Sequence, residues 1–170
     1  MNQVTDTPDR LLAVDPATPG FGFVVLEGPL RLLDWGLKKA IGNKQDVALE
    51  QIGELVTHYQ PSVIVVENIR GKGSRRCARV RKMIHAIMKQ AEQNGVEIQL
   101  VSPGKVREMF ATTKAMNKDQ RSRAIANQFP EIEPILPPVR KIWMSEPFGS
   151  TIFDAMAFAL TYYQTQKSPR

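Results

Sequence analysis

The sequence has very little cysteine and histidine, with one Cys and two His among 170 residues. The lone cysteine, Cys77, excludes an internal disulfide and is typical of proteins from a reducing compartment. No His/Cys set has the spacing of a zinc site, so His58 and His85 are expected to be structural or exposed.

Long apolar runs are also missing. No segment approaches the ~18 apolar residues of a membrane span, and the opening MNQVTDTPDR has no apolar signal core. There is no P-loop and no Gly-x-Ser-x-Gly, which argues against the commonest nucleotide-binding and serine-hydrolase motifs. We therefore expect a cytoplasmic protein without membrane contact.

The length of the sequence is typical of one globular domain. The length predicts a single domain at 10–165, with a flexible arm at 1–9 and a tail at 166–170. Lys and Arg number 23 against 17 Asp and Glu, for a formal net charge of +6. A basic excess favours a polyanionic partner.

Apolar periodicity and turn residues predict the element order β-β-β-α-β-α-β-α-α-α. Short links between the first three strands indicate an antiparallel meander, and the continuous apolar run at 62–67 indicates a later strand buried on both faces. The predicted fold is α/β, a five-stranded mixed sheet of three antiparallel and then parallel strands, flanked by helices. A proline-containing loop is expected at 131–150, and the expected helices lie around 48–59, 74–94, 104–110, 117–129 and 151–163.

Three carboxylates stand at the ends of predicted buried elements. Asp15 ends the first strand, Glu67 ends the fourth, and Asp154 lies in the first turn of the last, apolar helix. Parallel strands would bring Asp15 and Glu67 to the same edge of the sheet. Clustered carboxylates repel one another unless a cation compensates them, and oxygen-only ligands suit Mg²⁺ or Mn²⁺. Two such ions about 4 Å apart can promote phosphodiester cleavage.

Each acid also has a plainer interpretation. Asp15 could cap the turn that starts at Pro16, Glu67 could pair with Arg70, and Thr151-x-x-Asp154 matches a capping box. The three acids together favour the metal-site hypothesis.

The ordered motifs resemble the RuvC-like branch of the ribonuclease H-like superfamily, which contains Holliday junction resolvases. The segment LLAVDPATPGFGFVVLE resembles its first motif, YQPSVIVVENI its second and IFDAMAFALTYY its last. The resemblance spans roughly residues 11–163. It implies a ribonuclease H-like fold, metal-dependent nuclease chemistry and two metal ions, with Asp15, Glu67 and Asp154 as catalytic metal ligands.

The sequence departs from that family at one position. RuvC resolvases usually have a second acid one helical turn before the last Asp, and here Thr151 occupies that place. Glu146, in the preceding loop, is the nearest acid that could fold back as a metal ligand.

The segment Arg70–Lys82 has seven basic residues in thirteen and no acid. It could be a solvated helix face. Its position just after Glu67 instead favours phosphate contact, with Arg75, Arg79 and Lys82 on one face of the helix. Its other side is expected to pack in the core, and the resemblance adds a possible homodimer. The predicted nucleic-acid-binding residues are Lys72, Arg75, Arg76, Arg79, Lys82 and Lys118.

The proline loop carries Trp143 beside Arg140 and Lys141. This tryptophan could stack on an unpaired base. More often such a residue anchors its loop to the core, and that is the expectation we favour.

The resemblance implies a Mg²⁺- or Mn²⁺-dependent endonuclease acting on DNA, with branched DNA such as a four-way junction preferred over RNA. A pre-ribosomal-RNA processing nuclease of the same fold and a binding module without catalysis remain open. An actin-like or sugar-kinase-like nucleotide binder requires two such domains, and 170 residues hold only one.

Overall fold

The computed structural model describes residues 9–167. All of the predicted arm except Asp9 therefore lies outside the described residues, as do the last three residues of the predicted tail. The final helix continues to Lys167, so the first residues assigned to the tail belong to that helix. Within the described part, no helix has the length and apolar character needed to cross a membrane.

Five strands form one mixed sheet in the order β3-β2-β1-β4-β5. β1 pairs antiparallel with β2, and β2 with β3, which confirms the predicted meander. β4 pairs parallel with both β1 and β5, so the carboxyl ends of these three strands meet at one edge. The strands are β1 (Arg10–Pro16), β2 (Gly20–Glu27), β3 (Leu32–Lys39), β4 (Val63–Glu67) and β5 (Glu97–Val101).

Helices cover both faces of the sheet, in the predicted order. The α4 helix begins at the predicted capping box, in which Asn117 and Gln120 bond reciprocally. The proline loop contains no α-helix, but its first third forms a 3₁₀ helix, Pro130–Ile135. The α-helices are α1 (Lys44–Tyr59), α2 (Ala78–Gln93), α3 (Pro103–Ala111), α4 (Lys118–Gln128) and α5 (Ser150–Lys167).

The alternation of side chains along β1 separates two cores. Leu12 and Val14 face a cluster that includes residues of α1 and α2. Leu11 and Ala13 face the opposite cluster, which includes residues of α3, α4 and α5. The α5 helix is buried almost all round, as its apolar sequence predicts, and it lies directly against the central strands.

The basic helix begins later than predicted. The α2 helix starts at Ala78, after the extended N-cap Cys77, so Arg75 and Arg76 precede the helix. The expected common helical face of Arg75, Arg79 and Lys82 is therefore wrong. The segment before α2 stays extended, and Arg76 pairs there with the carboxylates of Asp15 and Glu67.

Gly22 on β2 sets how closely α5 can approach the sheet. A Cβ atom at this position would lie 2.3 Å from Thr151 Oγ1 and 2.6 Å from the Thr151 carbonyl carbon. Gly22 is also the antiparallel partner of Asp15. The contact therefore fixes the start of α5 beside the end of β1.

We expect Gly22→Ala to lower the free energy of unfolding by about 1–3 kcal/mol, because the added methyl group must displace backbone rather than a flexible side chain. Urea denaturation of both proteins measures this change. Gly149→Ala is the matched control, since a Cβ there meets no atom within 4 Å. Equal stability of Gly22→Ala and wild type would contradict the close packing.

Candidate active site

Two carboxylates project from the carboxyl ends of adjacent parallel strands. Asp15 and Glu67 follow the parity of Ala13 and Val65, so they lie on the α5 face of the sheet. Asp15 is fully buried and Glu67 is 3% exposed. The apolar strands therefore place both acids in the interior of the protein.

A second pair of acids lies beside them. Asp154 is on α5, and Glu146 comes from the loop before that helix. The Lys118 ammonium, at the start of α4, lies 2.8 Å from Asp154 Oδ2 and also pairs with Glu146. Lys118 therefore joins the loop acid to the helix acid.

Arg76 connects the two strand acids. One terminal guanidinium nitrogen lies 2.5 Å from Asp15 Oδ1, and Nε pairs with Glu67 Oε2. The other terminal nitrogen donates to the Pro16 carbonyl at 3.4 Å. Glu67 thus pairs with Arg76 and not with Arg70, contrary to the plainer interpretation of the sequence.

The other plain interpretations are also wrong. The turn after β1 is closed by the Ala17 amide donating to the Gly20 carbonyl, without the Asp15 side chain. Thr151 lies inside α5, and its hydroxyl donates to the Phe148 carbonyl, so it is not the N-cap of a capping box.

The electrostatics of the site are dominated by burial. Burial raises the pKa of Asp15 well above its usual value, and the nearby charge of Asp154 raises it further, while Arg76 opposes the shift. Burial also raises the pKa of Asp154, against the opposing effect of Lys118. The ammonium of Lys118 loses solvation on burial, but Asp154 and Glu146 more than compensate and raise its pKa.

The donor chemistry fits a divalent cation. Asp15 Oδ2 is buried and has no hydrogen-bond partner among residues 9–167. The four carboxylates are balanced by only two directly paired cations, Arg76 and Lys118. All the acid donors are oxygens, which Mg²⁺ and Mn²⁺ prefer.

The present arrangement is nevertheless a set of ion pairs and not a coordination shell. Among residues 9–167, no three acidic, His or Cys side chains are grouped so that they could hold one metal ion. Arg76 and Lys118 bind the same carboxylate oxygens that an ion would need. An ion that takes these paired oxygens therefore binds in competition with Arg76 and Lys118.

A basic cleft of about 280 Å³ opens over the acids. Arg107 and Arg121 are not among the nucleic-acid-binding residues predicted from the sequence, and the packing of α3 and α4 brings both to this cleft. Gly73 has a φ of +89°, and a Cβ there would lie 2.4 Å from the Arg107 guanidinium. The cationic residues lining the cleft are Arg75, Arg76, Arg107, Lys118 and Arg121.

The remaining predicted nucleic-acid-binding residues are exposed but do not line this cleft. Lys72 precedes α2, and its carbonyl accepts from the Gly104 amide at 2.9 Å. Arg79 lines a separate cleft near Pro16, and Lys82 lies on the exposed side of α2. On the other side of α2, Ile84 and Ile87 are buried, which confirms core packing.

The fold has known counterparts, although no protein-family model matches the sequence and no curated protein matches it. Thermus thermophilus RuvC in complex with a Holliday junction substrate is 18% identical, with a TM-score of 0.66 over 94% of this chain and 98% of that chain. The yeast mitochondrial Holliday junction resolvase Ydc2 is 13% identical, with a TM-score of 0.61 over 94% and 80% of the two chains. A fowlpox virus resolvase complexed with junction DNA is 15% identical, with a TM-score of 0.54 over 91% and 99%. The predicted RuvC-like, ribonuclease H-like fold is confirmed.

We expect Asp15→Asn to stabilise the metal-free protein at neutral pH, because the buried carboxylate is only partly compensated by Arg76. A carboxyl whose pKa is raised by folding lowers the stability of the folded state progressively above its unfolded pKa, and in full above its folded pKa. The penalty disappears as the pH falls towards the unfolded value, near 3.8. A chain of this size gains about 2–4 °C in Tm per kcal/mol.

Thermal unfolding in EDTA between pH 4 and pH 8 tests this expectation. The Tm advantage of Asp15→Asn is greatest at neutral pH and narrows on acidification. Glu50→Gln, at an exposed acid within α1, is the control. A variant less stable than wild type at pH 7 would show that the Arg76 ion pair outweighs the burial of the charge.

Proposed function

We propose that this chain is a Mg²⁺- or Mn²⁺-dependent endonuclease that cleaves phosphodiester bonds in branched DNA. The carrying observation is the convergence of Asp15, Glu67 and Asp154 at one sheet edge beneath a basic cleft. The resemblance of the fold to resolvases solved with junction DNA supports this substrate and favours DNA over RNA.

In this proposal Asp15, Glu67 and Asp154 hold the metal. Glu146 takes the place of the acid that RuvC resolvases usually have where this chain has Thr151. The Thr151 hydroxyl is engaged with the Phe148 carbonyl, whereas Glu146 already reaches the site through Lys118. A divalent ion held by these residues would supply the positive charge that favours attack of a water on phosphorus and stabilises the leaving oxygen.

The cationic residues have a separate task. Arg75, Arg107 and Arg121 line the cleft and offer charge to phosphates on either side of the acids. Lys118 lines the cleft beside Asp154, where its ammonium would be released to a phosphate if its carboxylate partners held a metal. The homodimer expected from the family resemblance remains a prediction.

We expect Asp15→Asn and Glu67→Gln each to reduce cleavage of a four-way junction by at least about 10³-fold, because each removes a charged metal ligand. Junction binding in EDTA should stay within a fewfold of wild type. Gel assays of labelled junctions, with and without Mn²⁺, measure both quantities. Glu50→Gln, at an exposed acid on α1, is the matched control. Undiminished cutting by Asp15→Asn would remove the mechanism.

The competition between Arg76 and metal gives a second prediction. Arg76→Met frees the oxygens of Asp15 and Glu67, so we expect Mn²⁺ to bind about tenfold more tightly. Isothermal titration calorimetry without DNA measures this affinity. Arg79→Met, an exposed arginine on α2 outside the basic cleft, should leave it unchanged. Unchanged or weaker binding to Arg76→Met would contradict the competition.

A binding module without catalysis is the second candidate. One observation favours it: Arg76 and Lys118 form ion pairs with the carboxylates, and no group of acidic, His or Cys side chains among residues 9–167 is arranged to hold a metal ion. Such a module would bind junctions but show neither tight Mn²⁺ binding nor metal-dependent cutting. An RNA-processing role is tested by competition between structured DNA and RNA at fixed salt.

A further inference from the structure

The loop before α5 ends in a tight, exposed turn. The Met144 amide donates to the Lys141 carbonyl at 3.0 Å and closes the four-residue turn Lys141–Met144. The Arg140 guanidinium donates to the Met144 carbonyl at 2.9 Å and braces it. Ile142 and Trp143 therefore occupy the two central positions, at the tip.

This tip is apolar and faces solvent. Ile142 is 98% exposed and Trp143 is 76% exposed. Neither side chain belongs to a hydrophobic core cluster or packs against one. The expectation that Trp143 anchors its loop to the core is therefore wrong. A large aromatic and a β-branched residue held together in water indicate a surface that something else covers.

The charge around the tip indicates what covers it. Lys141 Nζ lies 5.2 Å from the centroid of the Trp143 ring, and Arg140 precedes the turn and donates to the Met144 carbonyl. The segment 137–144 contains these two cations and no acid. An aromatic plane flanked by cations suits a nucleobase joined to phosphates, because bases stack on aromatic rings and phosphates pair with the cations.

The turn also lies next to the candidate active site. Glu146, which shares Lys118 with Asp154, follows Trp143 by only three residues. Lys141 and Ile142 line the same cleft as Lys118 and Glu146, a cleft of about 240 Å³. Since an extended chain spans about 3.3–3.6 Å per residue, Trp143 stays within roughly 10–11 Å of Glu146 along the backbone.

We propose that the turn Lys141–Met144 recognises the branch point, with Trp143 stacking on an unpaired or unstacked base beside the cleaved phosphate. Arg140 and Lys141 hold the adjoining phosphates. A continuous duplex buries both faces of its bases and gives the indole nothing to stack on, so the contact selects branched DNA. This inference rests on the proposed nuclease function and specifies how its substrate is chosen.

Fluorescence anisotropy in EDTA tests the proposal with a four-way junction and a linear duplex of the same sequence. Loss of one base–aromatic stack corresponds to about a tenfold weaker affinity. Trp143→Ala should therefore weaken junction binding about tenfold and duplex binding less than twofold. Trp143→Phe should retain most of the junction preference. Leu30→Ala, which removes a side chain that is 78% exposed in the β2–β3 turn, should match wild type.

A 2-aminopurine at the branch point gives an independent readout. Stacking on Trp143 should quench its fluorescence when wild-type protein binds, and Trp143→Ala should bind at saturating concentration without that quenching. Because Trp143 is exposed, the variant should melt at the wild-type temperature.

Three results would overturn the inference. Equal losses on junction and duplex would show a general phosphate role, and no loss on either would show that the tip serves another partner, such as a protein. In both cases metal-dependent junction cleavage by wild type would leave the proposed function intact. Wild-type protein that neither prefers nor cuts a junction would contradict both proposals.

Discussion

The site depends on placing negative charge where water cannot solvate it. The apolar strands β1 and β4 carry Asp15 and Glu67 into the interior, where an isolated carboxylate is costly. Arg76 and Lys118 offset part of that cost, and each does so by joining two acids. The result is a set of carboxylates held together by side chains that a divalent ion can replace.

That arrangement explains several features that are otherwise unrelated. Gly22 allows α5 to approach β2 closely, which brings Asp154 towards Asp15. The extended segment before α2 lets Arg76 reach two strand ends, which a residue within a helix could do less easily. The loop before α5 delivers Glu146 to Lys118. Backbone features in three regions thus serve one electrostatic requirement.

The sequence predicts the sheet and the convergence of its acids well, because both follow from local patterns. The continuous apolar run ending in Glu67 has few alternatives to a buried parallel strand, and a parallel strand fixes where its carboxyl end lies. The partner of Glu67 could not be predicted, since several basic residues follow it at similar separations and only the fold of the segment 68–77 brings Arg76 to it. The prediction that Trp143 anchors its loop to the core was wrong, because the sequence of a loop does not reveal whether its aromatic side chain points to the core or to solvent.

Positive and negative charges are unevenly distributed in this protein. The chain has a formal net charge of +6, yet two of its acids, Asp15 and Glu67, are buried. Cations therefore surround a negative centre, with Arg75, Arg107 and Arg121 around the cleft and Arg76 and Lys118 at its base. Such a field attracts a polyanion over a distance of about one Debye length, about 8 Å at physiological salt, while the acids repel phosphate at contact. Under the proposed nuclease function, a phosphate would settle beside the carboxylates only together with compensating cations, so substrate binding and metal binding would be linked.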